Sequence, residues 1–191
     1  MKANILMASL QNNSKNMNKK IFVIRGLLRL AMGWTFLWAF LDKLFGLGFS
    51  TAAKNAWING GSPTAGFLKF ATTGPLAGFY HGLAGNPIVD WLFMLGLLSV
   101  GLFLMLGVAI RFASAVGIVM LALMYSALLL PTTNPFLDEH LVYILVMLAL
   151  YFGESGEFLG LGKWWKNYAF AKRFYIFGNA GNESLPELVN K

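Results

Sequence analysis

Apolar residues along this chain run together in long blocks with short polar stretches between them. Residues 22–41 (FVIRGLLRLAMGWTFLWAFL) are apolar except for Arg25 and Arg29, and residues 91–110 and 112–130 carry no charge at all. Crossing a bilayer takes roughly 20 residues at about 1.5 Å each, so each block predicts a transmembrane helix. A fourth uncharged stretch, 141–152, is too short to span alone. It becomes long enough if its helix starts near Pro135, with Asn134 as the cap and proline at the first helical position. Acidic residues close to that start suit the positive end of the helix dipole. The predicted spans are 22–45, 87–110, 111–130 and 135–153.

The rest of the chain fits around these spans. Residues 1–20 are polar and asparagine-rich, without the apolar core of a signal peptide, and are expected to form a disordered cytoplasmic tail. The 46–86 connection is long for a helix hairpin and should hold structure of its own. Ser62-Pro63 reads as a helix start and Gly74-Pro75 as a stop, with Phe67, Leu68 and Phe70 between them. Such apolar segments predict an interfacial helical connection over the outer mouth of a helix bundle. Residues 161–191 form a second tail whose 163–177 stretch alternates basic and aromatic residues, a pattern that suits the anionic inner leaflet better than RNA. The expected fold is therefore an all-α membrane protein, a four-transmembrane-helix bundle over residues 21–160.

Composition sharpens this picture. Of 191 residues, 57% are hydrophobic and 12% charged, where a soluble domain carries about 25% charged residues. Mean hydropathy is +0.61. A disordered chain, a collagen-like repeat and an ordinary soluble enzyme are excluded. The net charge of +7 is not a nucleic-acid signature, because position explains it. With both termini in the cytoplasm, segments 42–90 and 131–140 hold three basic and four acidic residues. The remaining twelve basic and four acidic residues lie inside. That is net −1 outside and +8 inside, as the positive-inside rule requires of a multi-pass protein of the cell membrane.

The chain has no cysteine and only two histidines, His81 and His140. Disulfides, Fe–S clusters, thiolate chemistry and a three-histidine zinc site are excluded. No nucleotide, haem or metal motif is evident. The topology gathers Asp42, Lys43, His81, Asp90, Asp138, Glu139 and His140 at the outer boundary, where Trp34, Trp38, Trp57 and Trp91 form an aromatic belt or line a flat-ring pocket. Ionisable groups near the apolar layer are costly and often functional, and a histidine beside carboxylates exchanges protons near neutral pH. For single residues a structural role competes: Lys43 can snorkel, and Asp90 and Asp138 can cap. Arg25 and Arg29, at i and i+4 on the inner side of the first span, mark the cytoplasmic boundary rather than a substrate path, though Arg29 lies deep enough to seek an acidic or carbonyl partner. Asn86-Pro87-Ile88-Val89-Asp90 and Asn134-Pro135-Phe136-Leu137-Asp138 repeat one helix-start pattern, from a duplicated hairpin or from two helices using the same cap. Ala109, Ala113, Gly117, Ala122 and Ser126 have small-residue spacing that allows close packing within the bundle or a homodimer.

The run Arg29-Leu-Ala-Met-Gly33-Trp34-Thr-Phe36-Leu-Trp38-Ala-Phe-Leu-Asp42-Lys43-Leu44-Phe45 resembles the first helix of DoxX/DoxD-type membrane proteins. Ala56-Trp-Ile-Asn-Gly-Gly-Ser-Pro-Thr64 and Asn134-Pro-Phe-Leu-Asp138-Glu-His140 do so too, over roughly residues 25–165. DoxD is similar to the membrane subunit of thiosulfate:quinone oxidoreductase, which passes electrons from thiosulfate to a quinone and yields tetrathionate. The resemblance implies a four-helix membrane protein linked to a quinone as electron acceptor. It supplies no catalytic motif residue by residue. From topology, the expected catalytic residues are His140, Asp138 and Asp42, and the expected substrate or quinone contacts are Lys43, His81, Asp90 and Trp38. Besides the lipid bilayer, an extracytoplasmic partner subunit is expected, because no electron carrier is evident in the chain. The alternatives are a non-catalytic scaffold or assembly factor of a redox complex and, third, a small-solute transporter.

Overall fold

The computed structural model describes residues 2–129, 134, 136–153, 156 and 158–166, with backbone alone for 2–6, 8, 163 and 166. Pro135, Lys172, Arg173 and the remainder of 167–191 lie outside the described residues, so the expected basic tail does too.

The described residues are helical, with no strand among them. The helices are α1 (Lys2–Phe45), α2 (Ala77–Leu83), α3 (Pro87–Leu106), α4 (Ile110–Ala127), α5 (Glu139–Phe152) and α6 (Gly162–Lys166). Three of them, α1 over Ser9–Phe45, α3 and α4, are long and apolar enough to cross a membrane. At about 1.5 Å per residue α3 is about 30 Å long, the thickness of a hydrocarbon core.

α1 corrects one expectation. Residues 2–20 are not a disordered tail but continue the helix without a break. No proline or glycine occurs before Gly26, and adding residues to a nucleated helix costs far less than starting one. Residues 9–20 are exposed throughout, so no packing pattern announces them.

The buried stripe of α1, Gly26, Arg29, Met32, Gly33 and Phe36, faces α3 at i, i+3, i+4 spacing. The two helices run antiparallel, Gly33 against Leu104 and Met105, Gly101 against Leu37. A Cβ at Gly101 would lie 2.7 Å from the Leu37 amide nitrogen, so only glycine allows this approach. α3 ends at Gly107, not at residue 110 as the unbroken apolar run suggests. Gly107 has φ +74, and its N–H returns to the Phe103 carbonyl at 2.9 Å. Left-handed backbone of this kind is nearly free only for glycine. α4 then folds back on α3, with Phe103 edge-on to Phe112 at 6.0 Å. α5 packs against α4, Met147 meeting Gly117. Ala113 and Gly117 of the small-residue stripe are thus used within the chain. Met32, Met94, Val100, Leu104, Ala113 and Met147 share one core.

α5 also differs from expectation. It starts at Glu139, with Asp138 as its N-cap, and has 14 residues. Asn134 accepts from the N–H groups of Phe136 (3.0 Å) and Leu137 (3.2 Å) and so holds a turn rather than a helix start. Asn86 by contrast caps α3, accepting from Ile88 N–H, with Pro87 inside the first turn. The repeated pattern therefore produces two different local structures.

The α1–α3 connection holds short 3-10 turns at Ala53–Asn55 and Trp57–Asn59, a π turn at Phe67–Ala71, and α2. Ser62 accepts the Ala65 N–H at 3.1 Å at the start of this second half. Trp57 packs edge-on against Trp91 of α3 at 4.6 Å, and Thr73 N–H bonds the Ala127 carbonyl of α4 at 3.0 Å. The connection is thereby tied to both helices.

Candidate functional site

Because neighbouring long helices run antiparallel, the end of α1 and the starts of α3 and α5 share one end of the molecule. Three carboxylates are placed there, each with its own set of donors. Asp42, in the last turn of α1, is 1% exposed. It accepts from Phe49 N–H (3.2 Å), Ser50 N–H (3.0 Å) and the Ser50 hydroxyl (2.6 Å). The chain reverses at Gly46, and this carboxylate holds the returning loop. Ser50 Oγ also accepts from Lys43 Nζ at 3.3 Å, so Asp42 and Lys43, adjacent in sequence and on different faces, are joined through one hydroxyl.

Asp90 lies in the first turn of α3 and is likewise buried. It accepts from the Ser62 hydroxyl (2.9 Å), Thr64 N–H (3.3 Å) and the Thr64 hydroxyl. The acid thus fastens the connection to α3 while sitting at the favourable end of the helix dipole.

Asp138 precedes α5. One oxygen accepts the Leu141 N–H at 3.1 Å, and the other faces His140 Nδ1 at 2.7 Å. Burial pushes its carboxyl up, but the His140 and Leu141 hydrogen bonds and the charge of His140 outweigh this and hold it below the ordinary carboxylate value. An ionised carboxylate can only accept, so Nδ1 carries the proton and Nε2 is the imidazole atom left to gain or lose one. His140 is buried, on the inward face of the first turn of α5.

The expected site residues thus share one end but do not form one cluster. Asp138 and His140 are paired; Asp42 and Lys43 are linked through Ser50; Asp90 bonds its own loop. His81 is exposed on α2, apart from these bonds. Trp38 is half-buried and packs against Trp34 (5.6 Å) and Phe49 (5.1 Å). Asp138, Glu139 and His140 bring ligand atoms within 4.8 Å of one another, but Glu139 is exposed and Asp138 already serves Leu141 and His140. No motif or spacing in the sequence marks Ser50, Ser62 and Thr64 as carboxylate partners. The only signal was their place among glycine- and proline-bearing turns.

Among the described residues the most buried ion lies at the opposite end. Arg29 is 0% exposed. It donates to the carbonyls of Leu104, Met105 (3.1 Å), Phe158 (2.7 Å) and Leu159 (3.4 Å). The carbonyl partner expected of a charge so deep in a span is therefore present four times over.

The chain matches no family model, no curated protein and no solved structure.

Proposed function

We propose that the protein is a DoxX/DoxD-type protein of the cell membrane, the membrane subunit of a quinone-linked oxidoreductase, with four spans and both termini cytoplasmic. α5 is the fourth span; at about 21 Å it is short, and local thinning or tilt of neighbours accommodates such a helix at modest cost. The α1–α3 connection lies at the outer interface, where its exposed Phe49, Phe70 and Phe79 suit the headgroup layer.

The observation that carries the redox reading is the buried Asp138–His140 pair. When bound, a quinone takes up two electrons and two protons, the electrons being those released as two thiosulfates join through a new S–S bond into tetrathionate. His140 Nε2 supplies a proton at the membrane boundary and regains it from the aqueous side. Asp138 fixes the ring and its tautomer, and Lys43 attracts the anionic donor. Asp42 shapes the loop that brings Ser50 to Lys43. With no cysteine in the chain, electrons pass directly between bound substrates or through an extracytoplasmic partner.

The full chain, purified with its co-purifying partners and placed in nanodiscs, should lower decylubiquinone absorbance when thiosulfate is added. His140→Ala should slow that reaction by about 100-fold, the usual worth of a positioned proton donor. No thiosulfate-dependent reduction overturns the reading. It would favour a non-catalytic scaffold or assembly factor of a redox complex.

A further inference from the structure

A cavity of about 710 Å³ lies between α3, α4 and the connection that covers them, with Lys43 of α1 in its lining and without His140, Asp138 or Asp42 in it. Its wall is almost wholly apolar. It opens sideways past Leu92, Val119 and Leu123, which are more than half exposed on the face that lipid would cover. Lys43, Thr64 and Tyr80 are the polar groups of its lining. Thr64 gives its hydroxyl proton to Asp90, and the Tyr80 hydroxyl is shared with Ser126 and the Leu123 carbonyl (3.2 Å). Lys43 spends one N–H on Ser50, and an ammonium has three. Lys43 therefore brings the unspent donors of this lining, together with a positive charge beside apolar walls.

We propose that this cavity binds a single-chain amphiphile whose head is an oxygen acceptor, with the head on Lys43 and the tail along α3 and α4 towards the bilayer. A charge beside apolar surface is costly until an acceptor meets it, and the apolar walls reward only a tail. A fatty carboxylate and a quinone carbonyl share this chemistry. The proposal shares Lys43 and a quinone head with the redox reading but does not rest on it, since it requires binding and no electron transfer: saturable binding without thiosulfate-dependent reduction would uphold the one and overturn the other.

The test uses the full chain in phosphatidylcholine nanodiscs, titrated with 11-(dansylamino)undecanoate. Saturable binding at one site is expected, displaced by palmitate, by decylubiquinone or by both, which identifies the head, and not by hexadecane, which has none. Ala115→Trp, which fills the cavity from an exposed position, should abolish binding. Ala122→Trp, exposed on α4 outside the lining, should leave it unchanged. Lys43→Met should weaken it about tenfold or more, the worth of one charge-assisted hydrogen bond, and Lys43→Arg should largely restore it. If Lys43→Met does not fold, Lys43→Gln replaces it and the Ala115→Trp result stands independently. Unsaturable partitioning, binding by Ala115→Trp as tight as by the parent, or displacement by hexadecane equal to that by palmitate and decylubiquinone overturns the proposal.

Discussion

The two ends of the molecule bury opposite charges by opposite means. At one end Asp42 and Asp90 accept from N–H and hydroxyl groups of loops and Asp138 from the first turn of α5, and Asp42 and Asp138 find their donors within eight residues. At the other end a single cation, Arg29, gathers carbonyls 75 to 130 residues away. α3 lies between them with Asp90 in its first turn and Arg29 on its last carbonyls, so both charges match its dipole. The difference is one of reach. Asp42 and Asp90 each hold one loop and Asp138 caps one helix, so each can be lost alone. Arg29 ties α1, the end of α3 and the 158–159 segment into one knot, and its loss frees all three.

The largest test of this comparison is Arg29→Met. It removes the one cation that serves four carbonyls in a buried place, and should cost about 3–5 kcal/mol, measured as a shift in denaturant unfolding in mixed micelles. An effect below that of any single aspartate would reverse the comparison. Next comes Asp90→Ala, which leaves the Thr64 N–H and two hydroxyls without their acceptor; about 2–3 kcal/mol is expected, since each bond is charge-assisted. Asp42→Ala should cost a similar amount. Because these two acids share no partner in the bonds described, the double variant should cost the sum of the singles to within about 0.5 kcal/mol. Strong coupling would show that the carboxylate end is one network after all. Gly107→Ala is smaller, about 1–2 kcal/mol, from φ +74 and a Cβ placed 2.7 Å from the Gly156 carbonyl oxygen. Acid titration gives the smallest effect. The Asp138 carboxyl lies below its ordinary value, so its contribution is complete above that value and fades as pH falls through the folded one. Asp138→Asn should remove that part of the acid dependence.

Much of the fold was legible because lipid imposes a simple code. α1, α3 and α4 follow from uncharged runs, and the need of Arg29 for a buried partner follows from its depth in one of them. What escaped the sequence depended on local geometry. The end of α3 turns on Gly107, which looks like any other glycine inside an apolar run. Asn134-Pro135 repeats the Asn86-Pro87 signal, yet helix α5 waits for Asp138, whose side chain accepts the Leu141 N–H and also meets His140. The carboxylate end was legible as a neighbourhood and not as a set of bonds. Ser50, Ser62 and Thr64 reach their acids through loop paths that no spacing rule encodes. His81, which topology set beside His140, sits exposed on a helix too short to be read.

The hydrogen bond to Asp138 engages Nδ1 of His140 and leaves Nε2 as the atom for proton transfer, so the redox reading depends on that bond. Two histidines make the point directly measurable. In nitrogen NMR of the protein labelled with 15N-histidine, neutral His140 should carry its proton on Nδ1, and Asp138→Ala should abolish that preference. His81, exposed on α2, should not respond to the substitution. A neutral His140 protonated on Nε2, or a tautomer indifferent to Asp138→Ala, would contradict the account.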